Sequence, residues 1–89
     1  MLEPRILELV DLAFAQEDQA QAREMLERFE PYWGRSDRAL IAAIKYSQGQ
    51  ISRLKVAIVL GESDVRDLLC EAGFAHDTKA HLHWIPGQK

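Results

Sequence analysis

Cys70, His76, His81 and His83 are the side chains here that could serve as a nucleophile, an imidazole base or a soft metal ligand. A thiol beside an imidazole begins a covalent-catalysis pair. Such a pair also needs an orienting third group and donors for a developing oxyanion, and no residues stand at recognisable spacing to supply them. Cys70 also falls off the apolar stripe of its own segment, Val65, Leu68, Leu69 and Ala72, as a small thiol at a helix edge would. The histidines are spaced five and then two residues apart, which a regular helix cannot aim at one ion. No second cysteine or cluster of carboxylates completes a tetrahedral set. The sequence therefore predicts no catalytic residue, no metal and no cofactor, and the chain is not expected to be an enzyme.

Charge is the next source of chemistry. The 89 residues carry a net charge of −3, unevenly spread. Residues 1–33 hold Arg5, Arg23 and Arg28 against eight acids, whereas residues 34–60 hold Arg35, Arg38, Lys45, Arg53 and Lys55 against Asp37 alone. One reading is internal, with an acidic helical hairpin lying beside a basic one. The other gives the middle segment to an acidic partner or a phosphate. Trp33, Arg35, Arg38 and Lys45 are the candidate residues for such a partner or anion surface. Aromatic rings among cations can hold a ligand by stacking and charge, although Asp37 in the same turn opposes an anion. The ordinary role of Trp33 and Trp84, each beside a helix stop, is to close the ends of a small core.

Ala57, Gly61 and the segment after Ser63 match part of a helix-turn-helix DNA reader, in which a small residue admits the second helix and a glycine four residues on makes the turn. The rest of the pattern departs. Glu62 stands where an apolar residue is usual, and Asp64, Asp67 and Glu71 would repel phosphates from the reading helix. Nucleic acid is a disfavoured partner on these grounds.

The elements that must position these residues are helical. Pro4 starts a helix over about 4–16, with Ile6, Leu7, Leu9, Val10, Ala13 and Phe14 at three- and four-residue spacing. The next apolar set, Ala22, Met25, Leu26 and Phe29, points about a third of a turn away, so a break near Gln16–Asp18 is expected, with Asp18 and Gln21 in a capping box. This second helix stops before Pro31. Gly49, Gly61 and Gly73, twelve residues apart, then divide the rest into helices over 37–48, 50–60 and 64–72, each glycine closing the helix before it. Ser36-Asp37 and Ser63-Asp64 supply caps. A short last helix is expected around 77–84.

The segment 50–60 differs in kind. Ile51, Leu54 and Ile58 make one stripe, while Val56, Val59 and Leu60 put apolar surface on other sides, as in a helix at the domain centre or at a subunit contact. Val56, Val59 and Leu60 are the candidate self-association residues of a homodimer, the alternative being that the N-terminal helical hairpin covers them within the monomer.

The residues Arg38, Ala43, Lys45, Ser47, Gly49 and Leu54, with Asp64, Arg66, Asp67, Leu68, Leu69, Ala72, Gly73 and Phe74, resemble those of a group of small uncharacterised bacterial proteins. The resemblance covers less than half the chain. It implies a shared helical core and a bacterial origin, and it brings no functional residues with it. The fold expected is all-α, a compact orthogonal bundle of about five short helices in a single domain over 1–89, with room for a sixth at the C-terminus. With 47% hydrophobic and 28% charged residues, no apolar run of membrane-spanning length and one cysteine, the expected location is the cytoplasm. The expected role is a non-catalytic protein-interaction or regulatory module. The alternative is a nucleic-acid-binding protein with a divergent helix-turn-helix and a basic face over 35–55.

Overall fold

The computed structural model describes residues 2–31, 36–75, 77 and 79–86, and all their regular structure is helical. Helix α1 (Pro4–Ala13) starts on Pro4, whose missing N–H costs nothing in a first turn. It ends because Phe14 is extended (φ −109°, ψ 145°), which leaves the Phe14 ring buried in the core. The break thus falls at Phe14-Ala15, two residues before the expected one, and no capping box forms. Helix α2 (Gln16–Arg28) has Ala15 at its N-cap with no side-chain cap, and Asp18 lies within the first turn. The corner is closed by Gln19, whose amide donates to the Phe14 carbonyl at 3.2 Å.

Helix α3 (Asp37–Ser47) is capped by Ser36, whose hydroxyl accepts from the Ala39 N–H. Its six consecutive residues Ala39–Ile44 are all buried, and it packs on α1, α4 (Ile51–Ser63), α5 (Val65–Ala72) and α6 (Ala80–His83). The centre of the bundle is therefore α3. Helix α4, expected there or at a subunit contact from its all-round apolar composition, buries one stripe only, Leu54, Ala57 and Gly61. Ile58, expected beside Leu54 in the core, is partly exposed.

Two of the three glycines end helices. Gly49 (φ +79°) follows Gln48, itself left-handed at φ 51°, and a Cβ there would collide with the Ala13 carbonyl oxygen, so the α3–α4 turn needs a glycine twice over. The same turn is tied by buried Ser47, whose hydroxyl donates to the Ile44 carbonyl at 2.6 Å and accepts from the Gly49 N–H at 3.2 Å. Gly73 (φ +82°) closes α5 in a Schellman arrangement, with the Phe74 N–H reaching the Leu69 carbonyl at 2.8 Å.

Gly61 stops nothing. It lies inside α4, buried against α2's exit and α5, where an added Cβ would stand 2.5 Å from Phe29 Cζ and 2.9 Å from Leu68 Cδ2. The residue that ends α4 is Asp64, extended at ψ 98°. Its N–H bonds the Leu60 carbonyl at 2.7 Å while its carboxylate accepts from Arg66 N–H at 3.0 Å to cap α5. Helix α6 is a single turn, and Arg5 holds the segment after it by donating to the Trp84 carbonyl at 2.9 Å.

Candidate functional site

The sequence nominated two sets of residues, and the structure sends them to different places. Trp33 and Arg35 lie outside the described residues. Arg38 and Lys45, two turns apart on α3, both reach Phe74, the buried residue just past α5. Arg38 donates to the Phe74 carbonyl, and Lys45 Nζ sits 4.8 Å from the centre of its ring. His81 meets the same ring edge-on, with ring centres 6.4 Å apart and planes at 63°. A cation over a ring face and a charge-assisted bond to the Phe74 carbonyl both tie the segment just past α5 to α3. Arg53 acts likewise at the start of α4. Its Nε donates to the Tyr46 carbonyl at 3.2 Å and its guanidinium lies 5.1 Å from the Tyr46 ring centre.

Three cations of the basic segment are thus engaged with carbonyls and rings of their own fold. Among the described residues, Arg5–Glu8 at 3.1 Å, Arg28–Glu24 at 3.2 Å and Arg23–Asp11 are ion pairs within α1 and α2.

The helix-turn-helix pattern loses its turn. Ala57 and Gly61 are both buried within α4, and the exposed side of α5 presents Arg66, Asp67, Cys70 and Glu71. The thiol of Cys70 is exposed. Among the described residues no group of three or more His, Cys, Asp or Glu is placed to hold a metal ion. A cleft of about 470 Å³ opens between α1, α3 and the C-terminal segment, lined by Leu12, Ala13, Ile44, Lys45, Gln48 and Trp84 among others. Among the described residues its one charged group, Lys45, is the one placed over Phe74. The described residues of the cleft offer an ammonium and an amide, with no carboxylate or imidazole among them.

The second nominated set defines a surface. Val56 is 52% exposed and Val59 64% exposed, while Leu60 is partly buried against the core. At about 100° per residue, Ser52, Val56, Val59 and Ser63 form one stripe directly opposite the buried Leu54, Ala57 and Gly61. Shallow depressions of about 440 Å³ flank Val59 on either side. One is lined by Lys55, Val56, Leu60 and Ser63, the other by Met25 and Arg28 of α2 with Lys55, Ile58 and Glu62. Val59 is a ridge between them.

Lys55, a cation of the basic segment, and Glu62, a departure from the helix-turn-helix pattern, border this stripe on one flank, and Met25 of the second apolar set widens it, a grouping the sequence reading does not make. The signal that could have found the charges is their seven-residue separation, which puts opposite signs on one side of a helix two turns apart. No family model matches the chain, and neither a curated protein nor a solved structure is significantly similar to it.

Proposed function

We propose that this protein is a non-catalytic interaction or regulatory module that works through the outer face of α4. The observation that carries this reading is the pair Val56 and Val59, more than half exposed and adjacent on the middle of a helix whose opposite side is anchored in the core. Scattered exposed apolar residues are ordinary. A contiguous apolar strip with charged borders on a rigid helix is the composition of a docking surface. The polar side chains elsewhere support the same reading, since Arg38, Lys45, Arg53, Gln19 and Ser47 all serve backbone carbonyls or rings of their own fold. The setting we assign is the bacterial cytoplasm, with the lone thiol Cys70 consistent with a reducing compartment. Among the described residues, no helix is long and apolar enough to cross a membrane.

A photo-crosslinking amino acid placed at Val59, and separately at Glu71 on the exposed side of α5, tests the reading in cells that express the chain. A discrete adduct of defined mass from position 59 and none from position 71 is the expected result. Equal, diffuse labelling at both positions, or no adduct from 59, would remove α4 as the working surface.

A further inference from the structure

Resting on the reading of α4 as a docking surface, we infer that its occupant is a second copy of this chain, packed with the two α4 helices antiparallel and Val56 of each against Val59 of the other. The motive is self-complementarity. A two-fold axis crossing α4 midway between Val56 and Val59 pairs Ser52 with Ser63 and Val56 with Val59, each pair occurring twice. Every position of the exposed stripe then meets another member of it, and the Val59 ridge enters the depression beside Val56 and Leu60 on the opposing helix, as a knob enters a hole. Serine and valine on the contact line keep it narrow enough for the helices to approach closely.

The charges fix the direction. Lys55 and Glu62 lie on the same flank of the stripe, and in an antiparallel pair like flanks face each other. Lys55 of one chain then comes within about two residues, or about 3 Å along the axis, of Glu62 of the other. By symmetry this happens twice. In a parallel pair Lys55 would meet the level of Leu60, and Glu62 would face a position past the end of α4, so neither charge gains an opposite. The groups are ready for such a pairing: Lys55 is exposed and makes no ion pair among the described residues. Glu62 uses one oxygen to accept the Glu30 N–H at 3.2 Å and has a second to offer. One face of a 13-residue helix buries less than the roughly 800 Å² per partner of a standard stable interface, so the dimer is a weak, exchanging one.

Sedimentation equilibrium of the full chain from about 10 to 500 µM tests the pairing through charge exchange, a range chosen for a weak interface. The wild type should pass from monomer to dimer, and Lys55→Glu or Glu62→Lys alone should weaken association about tenfold, because each change acts at both symmetric contacts. The double variant K55E/E62K should recover the wild-type constant, and an equimolar mixture of K55E with E62K should form the heterodimer. Loss without recovery in the double variant would overturn the antiparallel register. A wild type that stays monomeric across the range would overturn the second copy as occupant. In that case a Val59 adduct with a different protein would still leave the docking surface standing. Should E62K unfold through loss of the Glu30 contact, the K55E and Val56→Glu variants carry the test, and unchanged association in both would equally reject the pairing.

Discussion

At Phe74 one residue gathers much of what the sequence had offered as a surface. Its N–H closes α5, its carbonyl takes the Arg38 guanidinium, and its ring receives Lys45 on the face and His81 at the edge. Cations that look available in a sequence are here engaged by the turn after α5, because a carbonyl beside a buried ring attracts positive charge. Gly61 shows the same dependence on a distant neighbour. In sequence it stands at the same interval as Gly49 and Gly73, yet its φ is not left-handed, and the need for glycine comes from Phe29, 32 residues away, pressed against its hydrogen. Gly61→Ala therefore sets two terms against each other. Helix propensity favours alanine by about 1 kcal/mol, and overpacking against buried Phe29 and Leu68 costs about 1–3 kcal/mol. The expected outcome is a net loss of up to about 2 kcal/mol in urea unfolding. A gain of stability would mean that Phe29 yields freely.

Among the elements, α3 was readable almost to the residue, since its cap Ser36 and the αL stop at Gln48-Gly49 are local chemistry. The start of α5 at Asp64 and its end at Gly73 were legible for the same reason. The ends of α1 and α4 were not. Phe14 leaves its helix in order to be buried, and α4 continues through Gly61 because packing outweighs the glycine penalty, so both boundaries were decided by tertiary contact. Of the two places its composition allows α4, the centre and a subunit contact, the first goes to α3, the helix packed against four others. The candidate surface was half legible. Val56 and Val59 stand out by type, whereas Lys55, Glu62 and Met25 acquire meaning only once the buried stripe fixes which side of α4 faces out. Burial of that stripe is what Leu54→Ala examines. Leu54 is fully buried on a helix that packs on α2, α3 and α5, so the change should cost about 2–5 kcal/mol in chemical denaturation. A cost below about 0.5 kcal/mol would mean the site collapses without α4 losing its anchorage.

For the molecule as a whole, folding and association are predicted to draw on opposite sides of one helix, and this makes them separable. The bundle needs Leu54, Ala57 and Gly61 turned inward, and it leaves Val56 and Val59 more than half exposed. If association requires the folded chain, a dimer raises apparent stability by mass action, by about RT ln(1 + [monomer]/Kd), and the unfolding midpoint climbs with protein concentration. Val59→Glu should leave dilute protein within about 0.5 kcal/mol of the wild type, since the site is exposed. It should also abolish the concentration dependence, because a carboxylate brought to the centre of the contact would be buried without a partner. The expected pattern is two melting curves that coincide at a few micromolar and separate by several degrees at hundreds of micromolar, with only the wild type moving; for a domain of this length about 1 kcal/mol corresponds to roughly 4–8 °C. Differential scanning calorimetry over that range measures both limits. Curves already separated in dilute solution would show that Val59 supports the monomer itself, and wild-type curves fixed at every concentration would show that the outer face of α4 is not covered by another copy.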